Sequence, residues 1–144
     1  MSQRRNPEEQ AASLNEFFGP RVPGLLGVVF ERCSAEEVVG RIDVTAALIA
    51  GTGFLFAPAV IALADTLAAG GTSANLREGE SFTTIELKTN FLGSAREGET
   101  IRGRAVPAHL GRSTQVWDVT VTNETTGRTI ALFRNTQMVL ARRD

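Results

Sequence analysis

The 144-residue sequence has no tyrosine, and only one cysteine, one histidine, one tryptophan and one lysine. Each scarcity removes a class of chemistry. A lone Cys33 cannot close an internal disulfide, and with His109 as the only histidine there is no Cys/His cluster at metal-ligand spacing. Cys33 is therefore read as an inert structural thiol in a reducing compartment, and neither a metal nor a cofactor is expected. The missing tyrosine, and the absence of a basic strip interleaved with aromatics, argue against a nucleic-acid surface. Fifteen Lys and Arg offset sixteen Asp and Glu to a net charge of -1, so no global field draws the chain onto polyanions or an acidic membrane. P-loop and serine-hydrolase chemistry have no residues to stand on, since neither a glycine-rich phosphate loop nor a Ser/His/Asp order is present. The charged opening Met1 to Glu9 lacks the apolar stretch of a secretory signal, and the cytoplasm is the expected location.

One uncharged stretch, Val44 to Ala64, approaches the ~20 apolar residues that span a bilayer. Gly51-Thr52-Gly53 and Pro58 interrupt it, and the rest of the chain alternates like a soluble sheet, so no membrane span is expected. What is present suits a single domain over residues 1–144, because 42% of the residues are hydrophobic, enough for a core without staples. Pro7 to Phe18 places Ala11, Leu14, Phe17 and Phe18 at helical spacing and stops at Gly19-Pro20, which predicts a helical extension over residues 1–20 packed on the surface. Two apolar patches, Leu25 to Phe30 and Val38 to Val44, flank the polar Ser34 to Glu37 as a hairpin. Phe56 to Leu76 is alanine-rich and apolar on nearly every side, which predicts a buried helix with Pro58 in its first turn.

Downstream the period changes to two. Ile85, Leu87 and Phe91 share one face of a strand, and Ile101 to Leu110, Thr114 to Glu124 and Thr129 to Leu140 repeat the strand pattern. Turns fall at Arg96 to Glu99, Leu110 to Arg112 and Thr125 to Gly127. The order predicts an α+β fold, an antiparallel meander wrapped around a buried helix, whose open edges would pair with a second copy.

Asp65 stands out because an acid in a helix apolar on all sides must be solvated by something. It is either a buried acid satisfied by an N–H or an arginine, or a reacting carboxylate, and the sequence leaves both open. The helix start offers free N–H groups and the positive end of the dipole to a developing oxyanion. Pro58 has no N–H, so Ala57 and Ala59 are the candidate donors. Ala57 and Asp65 are about two turns, or ~12 Å, apart, too far to grip one atom within a protomer. Two copies could bring one protomer's Asp65 to the other's helix start. Fourteen of the cations are arginine, which suits bidentate phosphate contacts or simply reflects base composition.

These residues resemble the hot-dog thioesterases of the phenylacetic-acid-degradation and acyl-CoA thioesterase 13 type. The resemblance covers Leu48 to Leu140. It rests on Ala62-Leu63-Ala64-Asp65-Thr66, on Thr84-Ile85-Glu86-Leu87-Lys88-Thr89-Asn90-Phe91-Leu92, and on Gly111-Arg112-Ser113-Thr114 leading into Thr120-Val121-Thr122-Asn123-Glu124. It implies a curved antiparallel sheet around a central apolar helix, dimers that pair into tetramers, and active sites at the dimer interface. The activity implied is hydrolysis of an acyl-CoA thioester, with coenzyme A present only as part of the substrate. Asp65 falls on the family's catalytic carboxylate, as general base or nucleophile. Ala57 falls on the oxyanion donor, and Thr84 on a hydroxyl residue that helps position water. Arg112 and Arg134 match cations near the nucleotide phosphates, with Ser113 and Asn135 beside them as hydrogen-bond donors.

The chain also departs from that pattern. The family's His-Gly-Gly at the helix start reads Phe56-Ala57-Pro58, so Phe56 and Pro58 become substrate-lining residues, and an upstream Asn falls at Ala50. The backbone donor at Ala57 survives, and losing one side-chain donor typically slows rather than abolishes catalysis. The same departures suit a protein that binds or senses acyl-CoA without cleaving it. Hot-dog hydratases and dehydratases rely on an active-site histidine, whereas His109 sits at a strand end away from the helix.

Overall fold

Asn6 starts the first helix, α1 (Pro7–Phe18). Its Oδ1 accepts from the Glu9 N–H at 2.8 Å, and the Glu9 carboxylate accepts from the Asn6 N–H at 3.2 Å, so two otherwise unpaired donors are satisfied reciprocally. The computed structural model describes residues 5–141, and the first four residues of the charged opening lie outside them. A short helix, α2 (Val22–Leu25), follows, then β1 (Val29–Cys33), β2 (Val38–Asp43), α3 (Ala57–Ala74), β3 (Ser81–Phe91), β4 (Thr100–Leu110), β5 (Thr114–Asn123) and β6 (Arg128–Leu140). The first strand thus begins four residues later than the apolar patch at Leu25 suggests. Pro23 opens a helical turn, and Gly27, at φ 88°, turns the chain before pairing begins.

All six strands form one antiparallel sheet in the order β1-β2-β4-β5-β6-β3. This corrects the expectation of a simple meander. β1 and β2 are neighbours, as are β4, β5 and β6 in turn, but β3 pairs with β6 at the far edge, and β2 pairs with β4. The sheet curves around α3, the hot-dog arrangement that the resemblance implied. No helix among the described residues is long and apolar enough to cross a membrane. The uncharged Val44 to Ala64 stretch instead forms a turn of 3-10 helix, a loop and the first turns of α3.

Glycines decide how closely α3 approaches the sheet. Gly40 on β2 and Gly103 on β4 are direct cross-strand partners, and a Cβ on either would lie 2.6 Å from a methyl group of Leu67. The pair forms a notch that seats Leu67, which is fully buried. One turn further, a Cβ on Gly71 would fall 2.3 Å from the Trp117 ring. Close packing of this kind tolerates no added carbon without strain, so the helix is held at a defined height with Asp65 two residues before Leu67. Cys33 lies in the same core, where burial pushes its thiol up to about 11, as an inert structural thiol requires.

The two sheet edges differ. At β1 the Asn15 side chain of α1 donates to the Phe30 carbonyl at 2.8 Å and accepts from the Phe30 N–H at 2.7 Å, and Phe18 stacks on Phe30 with centroids 5.8 Å apart. An amide side chain here stands in for a neighbouring strand. Asn15→Ala is expected to cost about 1–3 kcal/mol in urea unfolding, from two partly buried hydrogen bonds lost. The β3 edge has no such cover among the described residues, and Ile85, Leu87, Phe91 and Leu92 remain exposed there.

On the outer face, Glu31 of β1 accepts from Arg102 of β4 and Arg41 of β2, and Arg102 also pairs with Glu124. The Arg102 hydrogen bond is the largest influence holding the Glu31 carboxyl below its ordinary value of 4.5. Because the folded value is depressed, this pairing stabilises the fold at pH above the ordinary value. Its contribution is lost as pH falls through the lowered folded value. Melting temperatures taken down the acid limb are expected to fall less steeply in Glu31→Gln than in the parent protein.

Candidate active site

Strand alternation along β6 sets the site. Phe133, Asn135 and Gln137 face α3 and are buried, while Arg134 and Met138 face outward. On β3, Thr84 pairs directly with Gln137, and a bulge at Ile85 shifts the register so that Leu87 pairs with Asn135. The bulge keeps Thr84 and Leu87 on the inner face although three positions separate them. It also breaks the expected shared face of Ile85, Leu87 and Phe91, since the bulged Ile85 leaves the alternation.

Asp65 of α3 is half-buried at this point. Its Oδ1 accepts from Asn135 Nδ2 at 2.9 Å and from the Thr84 hydroxyl at 3.1 Å. Oδ2 takes no hydrogen bond among the described residues. The acid in the apolar helix is therefore solvated by two neutral donors on one oxygen, with no arginine bonded to it among the described residues, and the other oxygen stays available to water or a ligand. Thr84 also lies 3.0 Å from the Gln137 side-chain amide.

Phe56, Ala57 and Pro58 form the start of α3 and all three are exposed, Phe56 to 54%. The helix has no side-chain cap and no acid in its first turn. No backbone partner for the Ala57 N–H occurs among the described residues, so this donor and the positive end of the dipole face outward. Asp65, Thr84 and Asn135 come together within the protomer. Ala57 does not join them, being eight residues, or ~12 Å, back along the helix axis.

Two placements need correction. Asn135 is 1% exposed and holds Asp65, so it is not the surface donor expected beside Arg112 and Arg134. Arg134 points to the opposite face, as adjacent strand residues must. Its guanidinium grips Asp118 in a fork at 2.6 and 2.7 Å and holds that carboxyl below the usual range, so it is already committed. Arg112 and Ser113 lie exposed on the β4–β5 turn, where Arg112 lines a cavity of about 230 Å³ with Arg77, Glu80 and Gln115. A separate cavity of about 380 Å³ lies by the loop before α3, between Phe54, Leu92, Arg96 and Arg128. Neither cavity includes Asp65, which lies instead near the open β3 edge. His109 is exposed on β4. Gln137 was missed by sequence reasoning: that it shares a face with Asn135 follows from alternation, but not that this face meets α3.

Comparison with known proteins places these features. Residues 52–130 match the family profile of the thioesterase superfamily. The chain is 37% identical over 89 residues to a putative esterase of Vibrio cholerae, a match covering 60% of this chain and 57% of that protein's length. It is 27% identical over 100 residues to the 1,4-dihydroxy-2-naphthoyl-CoA hydrolase of Listeria monocytogenes, covering 69% of this chain and 80% of the relative. Among solved structures, a mutant of the thioesterase PA1618 from Pseudomonas aeruginosa superposes with a TM-score of 0.86 at 26% identity, over 95% of this chain and 96% of that one.

Proposed function

Because the chain belongs to the thioesterase superfamily, a family of thioester hydrolases, we propose that it cleaves acyl-coenzyme A to a free acid and coenzyme A. The observation that carries this reading is the Asp65 carboxylate, with Oδ1 held by Thr84 and Asn135 and Oδ2 uncommitted. Such a group can take a proton from water attacking the thioester carbonyl, or attack that carbonyl itself through Oδ2. In either case the thioester oxygen gains negative charge, and coenzyme A leaves as its thiolate, which then takes up a proton; direct attack leaves a mixed anhydride on Asp65, which water then cleaves to the free acid and the restored carboxylate. The naphthoyl-CoA hydrolase from Listeria supports a CoA thioester as the substrate class.

The oxyanion needs a donor that Asp65's own protomer does not supply nearby. A homodimer meets this need when β3 edges pair, since the β1 edge is covered by Asn15 and the β3 edge is open and apolar. One protomer's Ala57 N–H then faces the thioester attacked with the partner's Asp65, and Phe56 and Pro58 line the acyl group. Dimers pair further into a tetramer, and Arg112 with Ser113 contacts the phosphates of coenzyme A. The protein works without a cofactor in the cytoplasm, a setting that suits the buried free thiol of Cys33.

The test is thiol release from a panel of short, medium, long and aromatic acyl-CoAs, with thermal shifts measured on the same compounds. Turnover on any member supports the hydrolase and identifies its acyl class. The Phe56-Ala57-Pro58 helix start motivates the other reading, an acyl-CoA binding protein, for which stabilisation without turnover is the signature.

A further inference from the structure

Thr84 has one hydroxyl proton, and its oxygen lies 3.1 Å from Asp65 Oδ1 and 3.0 Å from the Gln137 amide. With the amide oxygen turned toward Thr84, two acceptors compete for that single proton. The same orientation leaves the Gln137 Nε2 buried with no partner, although Gln137 is 0% exposed. A buried donor without a partner is costly. Turning the amide over ends the competition and gives the donor a partner, leaving in its place an unpartnered carbonyl oxygen, the more readily tolerated of the two, and the two ends of a primary amide are so alike in shape that only hydrogen bonding distinguishes them. Nε2 then donates to the Thr84 oxygen, and the hydroxyl is free to donate to Asp65. Asn135 cannot turn likewise, because its Nδ2 is already the group 2.9 Å from the carboxylate, and an oxygen there would face an oxygen.

We propose that Gln137 is a positioning residue for thioester cleavage, donating to Thr84 so that the hydroxyl must donate to Asp65 Oδ1. Gln137 touches neither Asp65 nor substrate; it acts through Thr84. Direct opposition of Thr84 and Gln137 in the β3–β6 register places the two side chains together. Asn135, two residues along the same face of β6, supplies the second donor. With both donors on Oδ1, the carboxylate cannot rotate without losing a hydrogen bond, and Oδ2 alone is presented for reaction. This rests on Asp65 being the reacting carboxylate.

A double-mutant cycle tests the chain of action, using whichever acyl-CoA the protein hydrolyses best. Gln137→Met keeps length and removes the donor. It is expected to lower kcat about 5- to 10-fold, the factor carried by one net hydrogen bond, with KM unchanged. In a Thr84→Val background the same substitution is expected to do nothing further, since the group it acts through is gone. Gln137→Glu is expected to lower kcat more than Gln137→Met, because its carboxylate competes with Asp65 for the Thr84 proton. Losses that add independently in the cycle, or an unchanged kcat in Gln137→Met, overturn the proposal.

A second measurement needs neither turnover nor a folded variant. In the 15N-labelled native protein, the Gln137 Nε2 protons are expected to show nuclear Overhauser contacts to the Thr84 side chain. Contacts from those protons only to groups away from Thr84 overturn the relay whatever the kinetics. A native protein that hydrolyses no acyl-CoA defeats the assigned function instead, and the amide contacts still decide the relay.

Discussion

Asp65→Asn is expected to lower kcat by about 10³-fold or more while leaving oligomer and melting temperature nearly unchanged. The substitution is isosteric, and an amide oxygen can still accept from Asn135 Nδ2 and the Thr84 hydroxyl, so the contacts that seat the side chain survive. What disappears is the ability of the second oxygen to take a proton or to attack. Loss of a general base alone typically costs 10²–10⁴, and loss of a nucleophile costs at least as much. The measurement is steady-state thiol release by native and variant protein, with sedimentation confirming the assembly. Turnover within a few-fold of native would remove Asp65 from the chemistry. In the native protein, a single turnover in 18O-water can reveal direct attack: 18O in the peptide carrying Asp65 requires a mixed anhydride that water opened at the Asp65 carbonyl.

Ala57→Pro deletes one backbone N–H and almost nothing else. Proline is favoured at the first positions of a helix, where the N–H has no intrahelical partner, and Phe56 already has the extended conformation that a following proline requires, with ψ 118°. The fold should therefore hold while the oxyanion loses its donor, with kcat falling about 10²–10³-fold. The substitution also tests whether the site is shared. If each site takes Asp65 from one protomer and Ala57 from the other, a heterodimer of Asp65→Asn and Ala57→Pro has one site with both groups native and one with neither. Random reassociation of the two weak homodimers should restore about a quarter of native activity, because half the dimers are mixed and each carries one intact site. No recovery on mixing, with exchange verified by mass, would place both groups within one protomer's own site.

Several features were legible without coordinates because they are local. The largely apolar Phe56 to Leu76 segment read as a buried helix, observed over Ala57–Ala74, and Asp65 is conspicuous there for being the one charge it carries. Period-two alternation marked the strands that became β4, β5 and β6, and Gly98 and Gly127, both at positive φ, sit within the expected turns. Asp65 and Ala57 were identified from chemistry that depends on one helix alone, its end and its solitary acid.

The partners of Asp65 were not legible, because they depend on which strand lies beside which and in what register. Alternation shows that Asn135 and Arg134 face opposite ways, but not which of them meets the helix. Nothing local places β3 beside β6, 53 residues apart at the Thr84–Gln137 contact. Nor does any local pattern reveal the bulge that decides whether Ile85 or its neighbours look inward. Arg134 and Arg112 read alike as surface cations until Asp118, across the β5–β6 pair, claims one of them. The sequence by itself therefore determined most of the elements and the candidate carboxylate, which short-range periodicity and burial dictate. Only tertiary structure decided the register that sets Thr84, Asn135 and Gln137 around that group, because strand pairing joins residues that are distant along the chain.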